Sequence, residues 1–147
     1  MFKLYEMKVK TVTVDQSGSF LVLLTDKQET KVLPISIGPF EAQAIALVLS
    51  GETPPRPLTH DLLKSMCENL GGKIQKIIIT DIRDSTYYAE IYLQHDGQVT
   101  VVDSRPSDAI ALALRFGASI FMTPRLVEFT YDYKDIMPGD QGSEKLH

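Results

Sequence analysis

Apolar and polar residues alternate along the first part of the chain with the period of two that marks β-strands. From Tyr5 to Asp15, Met7 and Val9 hold one parity and Val12 and Val14 the other. The alternation therefore slips near Lys10-Thr11, which predicts a bulge. After a Gln16-Ser17-Gly18-Ser19 turn, Phe20 to Thr25 is a continuous apolar run. Beyond Asp26-Lys27-Gln28-Glu29, the segment Lys31 to Ile37 puts Leu33, Ile35 and Ile37 on one face. Strands joined by short polar turns predict an antiparallel meander.

The period then changes. Gly38-Pro39-Phe40-Glu41 opens a helix: proline suits the first helical position, where its missing N–H costs nothing, and the acid faces the positive end of the helix dipole. From Glu41 to Leu49 this helix is apolar on nearly every side, so the core or another subunit must cover it. Ser50-Gly51 ends it, and Glu52 to Pro57 forms a stiff, proline-rich loop. Thr59 is expected to cap a second helix, Leu62 to Leu70, with Leu62, Leu63, Met66 and Leu70 at helical spacing and Gly71-Gly72 as its stop.

The pattern repeats. Ile74 to Ile82 and Tyr87 to Leu93 read as strands, Asp96-Gly97 as a hairpin turn and Val99 to Asp103 as a third strand. Arg105-Pro106-Ser107-Asp108 then opens a helix that runs on through Ala109-Ile110-Ala111-Leu112-Ala113-Leu114. Both helix starts place an acid two residues after a proline. The sequence predicts an α+β fold, a duplicated unit of three antiparallel strands followed by one or two helices. The expected arrangement is a single domain over residues 1–136, with repeats at about 5–71 and 72–136, and a disordered tail over 137–147.

Composition narrows the classes. A chain of 147 residues, 44% hydrophobic and 23% charged, has room for one well-formed core. The net charge of −4 gives no global pull toward nucleic acid or anionic lipid, so any phosphate-binding site must be local. A single cysteine, Cys67, excludes an internal disulfide and a cysteine-based zinc cluster. No segment approaches the roughly 18 apolar residues of a membrane span, and the N-terminus lacks a signal-peptide pattern. The expectation is a cytoplasmic protein. Basic residues are not interleaved with aromatics along the chain, which speaks against an RNA-stacking platform.

Candidate chemistry gathers at the helix starts. Asp103-Ser104-Arg105-Pro106-Ser107-Asp108 supplies two carboxylates that would hold a divalent cation such as Mg or Mn, an arginine for a phosphate, and two hydroxyls. The plainer reading is a capped helix, with Asp108 on free N–H groups and Asp103 paired to Arg105. Asp103 ending an apolar strand and Arg105 before the proline are features that capping does not need. In the loop before the second helix, Arg56 would grip phosphate, His60 would act as acid or base, and Asp61 as ligand or orienting carboxylate; a capped helix start with an exposed histidine is again the alternative. Glu41 is the counterpart of Asp108. Glycine-rich phosphate loops, G-x-S-x-G elbows and H-E-x-x-H are absent from the sequence.

Three stretches carry a resemblance: Ile35-Ser36-Ile37-Gly38-Pro39-Phe40-Glu41-Ala42, Arg56-Pro57-Leu58-Thr59-His60-Asp61-Leu62, and Asp103 through Ala113. Present intact and in this order, they make the chain resemble the bifunctional nuclease domain, a family of bacteria, archaea and plants, over roughly Tyr5 to Phe129. The resemblance implies a duplicated α+β fold, a homodimer, and nuclease activity on RNA and DNA such as is attributed to plant members. The catalytic candidates are then Asp103, Asp108, His60, Asp61 and Glu41, with Arg56, Arg105, Ser104 and Ser107 binding substrate. The competing class is a non-enzymatic dimeric regulatory or ligand-binding module whose polar motifs are structural.

Overall fold

The computed structural model describes residues 3–137. The expected tail lies outside them from residue 138 onward.

Strands β1 (Tyr5–Val14), β2 (Phe20–Asp26) and β3 (Lys31–Ile37) form the first antiparallel meander, and the register of β1 slips between Val9 and Thr11. Strands β4 (Gly72–Arg83), β5 (Thr86–His95) and β6 (Gln98–Ser104) form the second. Helix α1 (Pro39–Ser50) follows the first meander and α3 (Pro106–Phe116) follows the second. The continuations differ. After α1 comes helix α2 (Thr59–Asn69). After α3 come β7 (Ser119–Met122), a 3-10 segment Pro124–Phe129, the short strand β8 (Tyr131–Asp132) and helix α4 (Tyr133–Ile136).

Strand β7 has no counterpart among the predicted elements, yet it joins the two halves. It pairs parallel with β4 and antiparallel with β1, giving one eight-stranded sheet in the order β6-β5-β4-β7-β1-β2-β3-β8. Only four residues long, it is held by burial of Ile120 and Met122. The fold is α+β, and its sheet is mixed.

One sheet face and the helices form the core. Leu24, Leu33, Ile77 and Ile79 meet Ile45 of α1 and Ile110 of α3, all at 0% exposure. Each such side chain contributes about 1.5–3 kcal/mol on burial. The alanines of α3 (Ala109, Ala111, Ala113) are equally buried, and their small size lets the helix sit close to the strands.

Helices α1 and α2 differ in how they meet the expectation. Helix α1 buries Ala42, Ala44 and Ile45, but Phe40 remains 80% exposed and Leu49 is exposed as well. Helix α2 begins at Thr59 rather than Leu62, and Thr59 does not cap it. Leu58 holds the capping position, and its N–H donates to the Asp61 carboxylate at 2.9 Å. Leu62, Leu63, Met66 and Leu70, the spacing of a core stripe, are all exposed. The stripe that α2 turns inward runs instead through His60, Lys64 and Cys67, with Lys64 Nζ donating to the Arg115 carbonyl at 2.9 Å.

Candidate active site

The helices begin alike. In α1, Gly38 is the N-cap, Pro39 the first helical residue and Glu41 the third; in α3 these are Arg105, Pro106 and Asp108. Helix α2 repeats the spacing with Leu58, Thr59 and Asp61. Each third-position carboxylate lies where the helix dipole favours negative charge.

One guanidinium joins two of them. Arg105 Nη2 donates to Glu41 Oε2 at 2.9 Å, and its Nε donates to Asp108 Oδ2 at 2.9 Å. The other oxygen of Asp108, Oδ1, lies 2.9 Å from His60 Nε2. Four side chains from the starts of three helices thus form a continuous polar chain. An ionised carboxylate can only accept, so His60 Nε2 carries a hydrogen toward Asp108, and Nδ1 is the ring nitrogen left for another partner. Burial alone would raise the Asp108 carboxyl, but the hydrogen bonds and charges of Arg105 and His60 outweigh it and hold the group below its ordinary range. The Arg105 hydrogen bond likewise lowers Glu41.

Gly38 makes room for this arrangement. A Cβ on Gly38 would collide with the Glu41 carboxylate, although its backbone (φ −77°, ψ 164°) is open to any residue.

The chain lines an open cleft of about 680 Å³, with walls that include Phe40, Glu41, His60, Asp103, Arg105 and Asp108. Ser104 also lines it, with its hydroxyl bonded to the Arg105 carbonyl at 2.8 Å. Asp103 is exposed at the rim. It pairs across the strands with Glu90, so its side chain shares the sheet face opposite the buried Ile91.

Several candidates fall elsewhere. Arg56 is exposed in the loop before α2, lies outside the cleft wall, and makes no ion pair or hydrogen bond among the described residues. Ser107 is buried beneath the start of α3 and faces a neighbouring pocket. Asp61 is also outside the cleft wall. Arg115 Nε donates to its Oδ1 at 2.7 Å, and the Leu58 N–H and then Arg115 hold the carboxyl below its ordinary range. The expected local pair of Asp103 with Arg105 does not form, and Asp108 bonds Arg105 and His60 rather than capping its helix. Among the described residues no three His, Cys, Asp or Glu side chains gather as metal donors.

Two features escaped the sequence reading. Arg115, with its side chain 6% exposed, also donates to the carbonyls of Ala111 at 3.0 Å and Ala44 at 3.2 Å, tying α1, α2 and α3 together. A lone arginine ending an apolar helix was its only sequence signal. On the sheet face turned away from α1, α2 and α3, Lys76 lies 4.9 Å above the Tyr92 ring and Arg83 5.0 Å above Tyr88. Folding interleaves cations and aromatics that the chain order keeps apart.

A His–Asp pair backed by an arginine thus lies in a cleft at three helix starts of a small α+β fold. The chain belongs to the bifunctional nuclease domain family, whose model matches residues 22–131. It is 38% identical over 118 residues to an uncharacterized protein of Mycobacterium tuberculosis, covering 80% of this chain and 70% of that one. It is also 28% identical over 109 residues to Bifunctional nuclease 1 of Oryza sativa subsp. japonica, covering 72% of this chain but 33% of the rice protein. Bifunctional nuclease 2 of Arabidopsis thaliana is 27% identical over 100 residues, covering 66% of this chain and 30% of the plant protein. The chain thus spans about a third of the plant relatives' length. No helix among the described residues is long and apolar enough to cross a membrane.

Proposed function

We propose that this chain hydrolyses phosphodiester bonds of RNA or DNA in the cytoplasm, and that the reaction runs in the cleft at the helix starts. The observation that carries this is the 2.9 Å contact of His60 Nε2 with Asp108 Oδ1 in an open cleft. Asp108 fixes the tautomer of His60, whose Nδ1 takes a proton from the attacking water. The water oxygen bonds to phosphorus, one P–O ester bond breaks, and the proton held on His60 Nδ1 passes to the leaving oxygen, which restores the ring. Arg105 steadies the phosphate and Glu41 holds Arg105 in place. Asp103 and Ser104 shape the rim, exposed Arg56 draws in the polyanion, and Asp61 fixes the start of α2 that carries His60.

Highly purified protein is expected to cleave single-stranded RNA or DNA, and Asp108→Asn to cleave at least about a hundredfold more slowly. Retained activity in that variant contradicts the assignment. A chelator arm in the same assay reads any requirement for Mg or Mn.

A second reading has its own observation: Glu41, Arg105, Asp108 and His60 are all paired to one another. In a non-enzymatic regulatory or ligand-binding module the same chain would serve as a clamp between helices, and Asp108→Asn would lower stability with no activity to lose.

We further propose that the chain is a homodimer. Leu62, Leu63, Met66 and Leu70 expose an apolar face, and edge strand β6 is exposed along nearly its whole length with Val99, Val101 and Val102 uncovered. An uncovered edge strand rich in valine is a ready template for another strand.

A further inference from the structure

A second pocket, of about 510 Å³, adjoins the cleft and shares Arg105 with it. Its walls come from the end of β3, the start of β5 and the start of α3, through Ser36, Thr86, Tyr87, Arg105 and Ser107. Ser107 is 6% exposed, and its hydroxyl has no hydrogen-bond partner among the described residues. Among those residues no fully buried polar side-chain atom lacks a partner, so this hydroxyl keeps some access to solvent, and Ser107 is part of the pocket wall. A hydroxyl kept unbonded at the second position of an eleven-residue helix stands beside main-chain N–H groups that the helix itself cannot satisfy.

The charges favour an anion here. No carboxylate lines the pocket, whereas Glu41, Asp103 and Asp108 all line the cleft. Arg105 spends Nε and Nη2 on Asp108 and Glu41, which leaves Nη1 without a partner among the described residues. Leu21, Ile37, Ile82 and Tyr87 add an apolar wall. The volume falls in the range of small-molecule sites, about 300–1,000 Å³.

We propose that this pocket binds one nucleoside monophosphate unit. Its phosphate lies against the Ser107 and Thr86 hydroxyls, Arg105 Nη1 and the start of α3, and its base and sugar rest on Tyr87 and Ile82. As a substrate subsite beside the cleft it rests on the nuclease reading; as a binding site it does not.

The test is an amide NMR titration of the full chain with AMP, inorganic phosphate and adenosine. AMP is expected to shift the amides of Thr86, Tyr87 and Ser107 saturably, with phosphate competing at the same amides. Adenosine is expected to bind at least about tenfold more weakly, the value of one charge-assisted contact. Thr86→Glu, at an exposed position that tolerates the change, and Ser107→Ala are each expected to weaken AMP by about tenfold. The assignment is overturned if AMP at millimolar concentration leaves those amides unmoved, if phosphate fails to compete, if adenosine binds as tightly, or if Thr86→Glu leaves AMP affinity unchanged. AMP binding without strand cleavage removes only the nuclease reading, and cleavage without AMP binding removes only this one.

Discussion

His60 on α2 and Asp108 on α3 meet through Nε2 and Oδ1 at 2.9 Å, and no local interaction within either helix brings them together. Arg115 sets the separation of the helices. It holds Asp61, the residue after His60, while remaining part of the same helix as Asp108. The candidate dyad therefore depends on a buried staple that itself lies outside the cleft wall.

That dependence gives a stability test. Asp61→Asn leaves the Arg115 guanidinium buried without its counter-charge. The expected loss is about 2–3 kcal/mol, below the range for a wholly buried pair because Asp61 is partly exposed. Urea unfolding of the variant and the native chain measures it. A loss under about 0.5 kcal/mol, the range of a surface substitution, would show that the staple carries little.

Gly38 offers a cleaner mutation. Gly38→Ala introduces no backbone strain, and its only conflict is with the Glu41 carboxylate. Expulsion of Glu41 from Arg105 is expected to cost about 1 kcal/mol, since Arg105 is 64% exposed. In a Glu41→Ala background the same change should be nearly neutral, because the obstacle is gone. A double-mutant cycle reads the difference, and simple additivity would contradict it.

The depressed carboxyls set the acid response. Glu41, Asp61 and Asp108 all titrate below their ordinary values in the folded chain, so the unfolded chain binds more protons as pH falls. Their contribution is complete above the unfolded values, about 3.9–4.3, and is lost as pH drops through the lower folded ones. Stability is expected to fall below about pH 4, with a shallower slope in Asp61→Asn. Chemical denaturation across pH 2.5–7 follows both, and identical slopes would remove Asp61 from the explanation.

Dimerisation can be tested at the sheet edge. Val101→Lys places a charge on exposed β6, a common natural device against edge pairing. Light scattering after gel filtration is expected to give a dimer for the native chain and a monomer for the variant. A native monomer at all accessible concentrations would refute the assembly.

What the sequence made legible was local. Proline geometry and the helix dipole act within one turn, so Pro39 with Glu41 and Pro106 with Asp108 marked their helix starts correctly. The bulge near Lys10 was readable because the side-chain parity changes there. Strand β7 was not, because four residues are too few to establish a period and its place depends on burial between distant strands. The α2 stripe misled for a related reason: periodicity identifies an apolar face but not what covers it. Within the site, Arg105 was visible as a charge beside proline. Its bridge to Glu41, 64 positions away in the chain, follows only from the way α1 and α3 pack.

In the proposed mechanism His60, oriented by Asp108, transfers the proton in phosphodiester cleavage. The most direct measurement is the initial rate of single-stranded RNA cleavage by the native chain and by His60→Asn, purified in parallel and matched for fold by circular dichroism. Measurable cleavage by the native chain and a loss of about 10²–10⁴-fold in the variant are expected. Equal rates from the two proteins, or no cleavage by the native chain on RNA or DNA, would contradict it.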